Sequence, residues 1–222
     1  MALILYGSNL SPFVRKVRVV LIEKGIDYTL DQVNPFRQPP EFAAISPLKR
    51  IPVLRDTDLP EPNTLPDSSV ISDYLENKFP EPALYPKSHF ARARALWFEE
   101  YVDSGVFPVM GAGLFFERVV KKFQRGVTDQ ALCARTIEES LPPLFDYLES
   151  EIRGKSYFVD ERFTIADVAV ASVMANYRHS GEALNAARWP HFAAYVEKIL
   201  ARPSFQTVLA EEQKLIDIAR SR

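Results

Sequence analysis

The sequence predicts a small α/β domain followed by an all-helical domain. Three observations predict it. The first 80 residues alternate short apolar runs with helical patterns, in the order βαβ and then ββα. Residues 79–86 then hold three prolines in eight positions, which no regular element tolerates, so they read as a linker. Beyond it, apolar residues recur at helical spacing and no strand pattern returns. The expected domains are residues 1–80, a linker over 81–87, and a helical domain over 88–222.

The first strand is expected over residues 2–6, which are apolar. A turn-like Gly7-Ser8-Asn9 separates it from a helix over residues 11–24. Ser11 is a good N-cap, and Pro12 suits the first helical position, where its missing N–H costs nothing. Phe13, Val14, Val17, Val20 and Leu21 make one apolar face, and Gly25 comes next as a stop. Residues 27–33 read as an edge-like strand of mixed polarity, 39–45 as a short helix, 52–55 and 64–66 as strands. Residues 68–79 read as a helix with Val70, Ile71, Tyr74 and Leu75 on one face, capped by Asp67 or Ser68. In the second half, helices are expected over 88–107, 129–152, 165–176, 192–201 and 205–219. Pro108, Gly111 and Gly113 should kink or interrupt the chain after the first of these. Thr164 and Asp167 have capping-box spacing ahead of an almost wholly apolar run, which marks a buried helix whose free N–H groups this pair satisfies. That role is structural, and Asp167 is not read as catalytic.

The totals exclude several function classes. The chain has 222 residues, 47% of them hydrophobic, and a formal net charge of −2 from 27 basic and 29 acidic residues. That balance does not point to nucleic acid or to a membrane surface. Residues 1–6 lack a basic leader and are too short for a signal peptide. No apolar run approaches the ~20 residues that span a bilayer. One cysteine, Cys133, permits no intrachain disulfide. His89, His179 and His191 are too scattered for a metal motif. Gly111-Ala-Gly113 lacks the third glycine of a dinucleotide fingerprint. A cytoplasmic protein without metal is expected.

Three stretches carry chemistry. A helix N-terminus has free N–H groups and about half a positive charge, which favours an anion or thiolate beside Ser11. Ile51-Pro52 precedes a short strand; a cis bond there would turn the backbone of Ile51 outward for strand-type pairing with an extended ligand. Lys49 and Arg50 just upstream suit a carboxylate. Asp67 suits an ammonium, and Ser68 with its neighbouring N–H groups a carboxylate.

Ser-Pro-Phe at the first helix, Arg-Ile-Pro-Val-Leu before the third strand, Asp-Ser at the next helix, a proline-rich linker and Thr-Ile-Ala-Asp in the helices come one after another in order. In this the chain resembles the cytosolic glutathione transferases over essentially its whole length, and most closely the serine-type ones. The resemblance implies a thioredoxin-like first domain with a mixed four-stranded sheet, and a helical second domain contributing the electrophile site. It implies glutathione as co-substrate, a hydrophobic electrophile as second substrate, and a homodimer. Ser11 matches the catalytic serine that donates to the glutathione sulfur. Ile51 and Pro52 match the pair whose backbone meets the cysteinyl part, Asp67 and Ser68 the pair at the γ-glutamyl end, and Arg50 a basic residue that meets the glycyl carboxylate. Asp103 resembles residues that reach the partner subunit's glutathione in some members. Phe13, Phe107 and Phe115 are candidates for the apolar wall of the electrophile site.

The chain also departs from the pattern. Asp67 stands where the family more often has Glu or Gln, with one methylene less reach. Residues 55–66, with Pro60, Pro62 and Pro66, lengthen the turn between the last two strands. Tyr6 is a rival donor, but it lies within an apolar strand. Cysteine-dependent relatives are disfavoured because no cysteine lies in the first domain, and Cys133 reads as an ordinary thiol. Two alternatives remain: reduction of organic hydroperoxides by the same thiolate, and a non-catalytic scaffold on the same fold.

Overall fold

The computed structural model describes residues 2–221, so Met1 and Arg222 lie outside the described residues. The chain divides into two compact units, Met1–Leu84 and Tyr85–Arg222.

The first unit is built on a four-stranded sheet in the order β2-β1-β3-β4. Strand β1 (Leu3–Gly7) pairs in parallel with β2 (Tyr28–Gln32) and antiparallel with β3 (Val53–Asp56), which pairs antiparallel with β4 (Thr64–Pro66). The parallel β1–β2 pair needs a crossover, and α1 (Pro12–Glu23) supplies it. Leu3 and Leu5 of β1 alternate inward, and they and Val14, Val17, Val20 and Leu21 of α1 are all buried. Ile71 and Leu75 of α3 (Ser68–Lys78) complete this core. Strand β2 is mostly exposed, as its mixed polarity predicts. Gly25 adopts φ +64°, the left-handed stop expected after α1. The short helix is confined to α2 (Phe42–Ile45), because Pro39 and Pro40 supply no backbone donors.

The Pro-rich segment is tied down at its start. The Lys24 ammonium, wholly buried, donates to the carbonyls of Phe79 (2.7 Å) and Pro82 (3.0 Å) and pairs with Glu76 at 2.8 Å. Glu76 in turn accepts from the Leu84 N–H.

The second unit is helical. Helix α4 (His89–Glu100) does not break at Pro108. Instead the ladder widens to a π-helix over Tyr101–Val106, returns to α5 (Phe107–Met110), widens again over Gly111–Val120 and closes as α6 (Lys121–Phe123). Pro108 lies in the first turn of α5, directly after the π segment, where the ladder changes and a missing N–H is tolerated. Gly113 has a packing reason: a Cβ there would lie 2.2 Å from the Thr136 hydroxyl. The single helix expected over 129–152 is divided into α7 (Gln130–Arg135), a π turn at Thr136–Ser140 and α8 (Pro142–Ile152). Pro142 and Pro143 lack the donors needed to continue the ladder, so the helix restarts with Pro142 at its first turn. Helices α10 (Pro190–Leu200) and α11 (Pro203–Arg220) likewise start on their prolines, two residues earlier than the apolar pattern alone indicates.

Helix α9 (Ile165–His179) is buried along almost its whole length. Its start is organised by Asp167, which accepts from the Thr164 N–H (2.8 Å), the Thr164 hydroxyl (3.1 Å), the Phe158 N–H (3.2 Å) and the Tyr195 hydroxyl (2.7 Å). The reading of Asp167 as a structural group accords with these bonds, and its reach extends past its own helix to α10. Burial pushes its carboxyl pKa up, against the pull of these four donors.

Candidate functional site

The sheet register decides where the three chemical stretches meet. Tyr6 near the end of β1 stands opposite Val53 at the start of β3, and Val53 stands opposite Pro66 at the end of β4. Residues after β1, before β3 and after β4 therefore emerge at one end of the sheet. Ser11, Ile51-Pro52 and Asp67-Ser68 occupy those positions. Two cross-links tie the segments together: the Asp67 N–H donates to the Pro52 carbonyl at 3.3 Å, and the Lys16 ammonium donates to the Ser69 hydroxyl at 3.2 Å.

Ser11 is the N-cap of α1, in extended backbone at φ −76°, ψ 125°. Its Oγ accepts from the Val14 N–H at 3.4 Å, a long bond. Its own proton has no acceptor among the described residues. The first turn of α1 contains no acidic residue, and Arg15, Lys16 and Arg18 are buried on the same helix. Arg18 donates to Asn9 at 3.3 Å and to Tyr28 at 2.7 Å, and Asn9 also accepts from Gln32 at 2.9 Å. These bonds pin the loop that delivers Ser11. Gly7 lets that loop pass over α1, because a Cβ there would lie 2.4 Å from a Val14 methyl.

The Ile51–Pro52 bond is cis. Neither the N–H nor the C=O of Ile51 has a hydrogen-bond partner among the described residues. This is an unpaired peptide unit in the bend just before β3, open to pairing with a peptide-like ligand. Upstream, the Ser46 hydroxyl donates to the Arg50 carbonyl (2.7 Å) and accepts from the Arg50 N–H (3.0 Å). That clamp fixes the Arg50 backbone while its side chain is exposed.

Asp67 caps α3: its Oδ1 accepts from Ser69 N–H at 2.8 Å and Val70 N–H at 3.3 Å. Its Oδ2 has no partner among the described residues. The backbone of Asp67 sits at φ +80°, a conformation that costs a non-glycine residue about 1–3 kcal/mol. Ser68 is buried in the first turn beside it. The cluster thus offers a hydroxyl donor, an unpaired peptide group, a free carboxylate oxygen at a helix start, and an exposed guanidinium.

Tyr6 does not join this cluster. It alternates to the sheet face opposite Leu3 and Leu5, and the Arg55 guanidinium lies 5.7 Å from its ring centroid. Phe13 is half-buried on α1. Asp103, Phe107 and Phe115 lie in the second unit; Phe107 is half-buried and Phe115 is 7% exposed, within the core. Cys133 is buried. Among the described residues no group of three or more His, Cys, Asp or Glu side chains is placed to hold a metal, and no helix is long and apolar enough to cross a membrane. The Lys16–Ser69, Arg18–Asn9 and Ser46–Arg50 bonds carry no sequence signature. The Lys16–Ser69 bond joins two helices that only the fold brings near, and the other two lie between a helix and a loop or within a loop of ordinary composition.

Comparison with known proteins finds matches in both units. Residues 5–83 match the family model described as glutathione S-transferase, N-terminal domain, and residues 111–203 match glutathione S-transferase, C-terminal domain. Glutathione S-transferase 3 of Zea mays is 32% identical over 213 residues, covering 93% of this chain and 92% of that protein. A stringent starvation protein A homolog of Haemophilus ducreyi is 26% identical over 90% of this chain and 86% of its own. A glutathione S-transferase from Methylobacillus flagellatus KT, solved with GSH bound, superposes with a TM-score of 0.73 at 29% identity, over 93% of this chain and 98% of its own.

Proposed function

The chain belongs to the glutathione S-transferase family, and from that premise we propose that it is an active transferase of the serine type. In this reading Ser11 donates its hydroxyl proton to the glutathione sulfur and holds it as a thiolate, which attacks a small hydrophobic electrophile. Ile51 pairs through its backbone with the cysteinyl unit, with Pro52 shaping the turn. Asp67 Oδ2 receives the γ-glutamyl ammonium, Ser68 and the start of α3 its carboxylate, and Arg50 the glycyl carboxylate. Phe13 and Phe107 are the stronger candidates for electrophile contact, and buried Phe115 the weaker. The protein acts in the cytoplasm as a homodimer.

The single observation that carries this reading is Ser11: a helix N-cap whose proton has no acceptor among the described residues, at the same sheet end as Ile51 and Asp67. The energetics suffice. A thiol of ordinary pKa about 8.5 becomes half ionised at neutral pH if the thiolate is favoured by about 2 kcal/mol. One hydrogen bond to a charged group supplies about 1.5–3 kcal/mol, and the helix N-terminus about 0.3–1 kcal/mol.

The test is the ultraviolet absorbance of bound glutathione thiolate against pH, in the wild type and in Ser11→Ala. The wild type is expected to titrate well below free glutathione, and the variant to lose that shift with a fall in turnover of about 10- to 100-fold. A shift retained in Ser11→Ala would return Tyr6 as donor, and binding without a shift in the wild type would leave a glutathione carrier. A second reading is a non-catalytic assembly protein, since fold does not fix function and the chain is also similar to a stringent starvation protein A homolog that is not named a transferase. Absence of glutathione binding would establish that reading over this one. Reduction of organic hydroperoxides uses the same thiolate and is distinguished by assaying cumene hydroperoxide beside an aryl halide.

A further inference from the structure

The helical unit contains an open cavity of about 340 Å³ whose lining residues all come from that unit. It is walled by the end of the long helical run at α6, the segment that comes after it, the end of α9 and the end of α11. Arg118, Lys122 and Arg220 line it, and no carboxylate among the described residues does. The carboxylates bonded nearby are already engaged: Glu182 with Arg118, Glu212 with His179, and Glu117 with Lys121 and the Asp129 N–H. Lys122 and Arg220 have no ion-pair or hydrogen-bond partner among the described residues. Arg118 is held in place, donating to the Ser180 carbonyl at 3.2 Å and to Glu182 at 2.5 Å. The floor is apolar, formed by Val119, Ile216 and Ala219.

Basic residues at helix C-termini often serve only to complement the helix dipole. Here the last carbonyls are already capped by backbone N–H groups: Arg125 and Gly126 donate to Lys122 and Lys121, Ser180 and Gly181 to Asn176 and Arg178, and Ser221 to Asp217. The side-chain cations are therefore not needed as caps. Two unpaired cations and one oriented guanidinium around an apolar floor match a phosphate group carried on a small organic body, and the volume falls in the range of small-ligand sites. We propose that this cavity is a second, non-catalytic binding site for a small phosphorylated metabolite.

The test uses the full chain, titrated calorimetrically with inorganic pyrophosphate as the probe, with and without saturating glutathione. Saturable binding is expected, unchanged by glutathione and by Ser11→Ala. It should weaken by about tenfold or more in the double variant Lys122→Gln/Arg220→Gln. Arg153→Gln, at an exposed position outside the cavity, should bind as the wild type does. The varied side chains are on the surface or half-buried, and circular dichroism verifies that the variants fold. Absent binding, binding undiminished in the double variant, or equal loss in Arg153→Gln would each overturn the proposal. Because Ser11→Ala is an arm of the test, failure here is separate from failure of the transferase reading.

Discussion

Asp67 does two things with one carboxylate. Oδ1 caps α3, while Oδ2 is open, and the residue sits in backbone that favours glycine. The two duties separate by substitution. Asp67→Asn keeps a good capping residue that tolerates positive φ, and removes only the charge. It should retain wild-type stability within a few tenths of a kcal/mol while raising the KM for glutathione. Asp67→Ala loses the cap as well and should cost about 1 kcal/mol more. Thermal unfolding with glutathione kinetics checks both; wild-type KM in the Asn variant would remove the charge from the binding scheme. Ser11, Ile51 and Asp67 were legible because each sits at a junction where the chain must change conformation, and cap residues and X-Pro pairs are written locally. The bond from Lys16 to Ser69 was not, since it joins two helices whose spacing only the folded sheet sets.

Between elements, the clearest tie in the first unit runs from β3 to α3. Asp56, nearly buried, accepts from the Tyr74 hydroxyl and the Lys78 ammonium. Burial raises its pKa, but bonds from Lys78, Tyr74 and the Asp58 N–H outweigh that, and the carboxyl is held below its ordinary value of 3.8. Lys78 is raised above 10.5, chiefly by its bond to Asp56. A depressed acid contributes stability that is present above the unfolded pKa and lost as pH falls through the folded one. The raised lysine contributes below 10.5 and loses it as pH rises through its folded value. Hydrogen exchange in β3 and α3 should thus lose protection as pH falls through 3.8 and below, and lose less in Asp56→Asn. Equal loss in both would assign the acid sensitivity elsewhere. At this scale strand and helix identities were legible from period and punctuation. The π segments were not, because Tyr101–Val106 and Gly111–Val120 have the apolar spacing of an ordinary helix.

For the molecule as a whole, the proposed homodimer has a concrete expectation. Phe90, Trp97 and Leu96 are exposed along α4, with Phe90 at 77%. Exposed apolar side chains grouped on one element mark an association surface more often than scattered ones do. Light scattering should give twice the chain mass, and Phe90→Glu should shift the population to monomer; a monomeric wild type would end the dimer reading. The two-part architecture was legible from the proline cluster at 79–86, because prolines punctuate irrespective of what surrounds them. The cavity at Lys122 and Arg220 was not legible, since four separate chain segments enclose it.

The hairpin between β3 and β4 leaves the sheet after Asp56 and re-enters at Thr64, at the end away from Ile51 and Asp67. Its ladder is closed by the Asp56 N–H on the Asn63 carbonyl at 3.0 Å, and its tip is exposed. This exposed turn is therefore a free handle for engineering. An epitope or fluorophore grafted at Leu59-Pro60 would report on the protein in a cell without touching the groups proposed to grip glutathione.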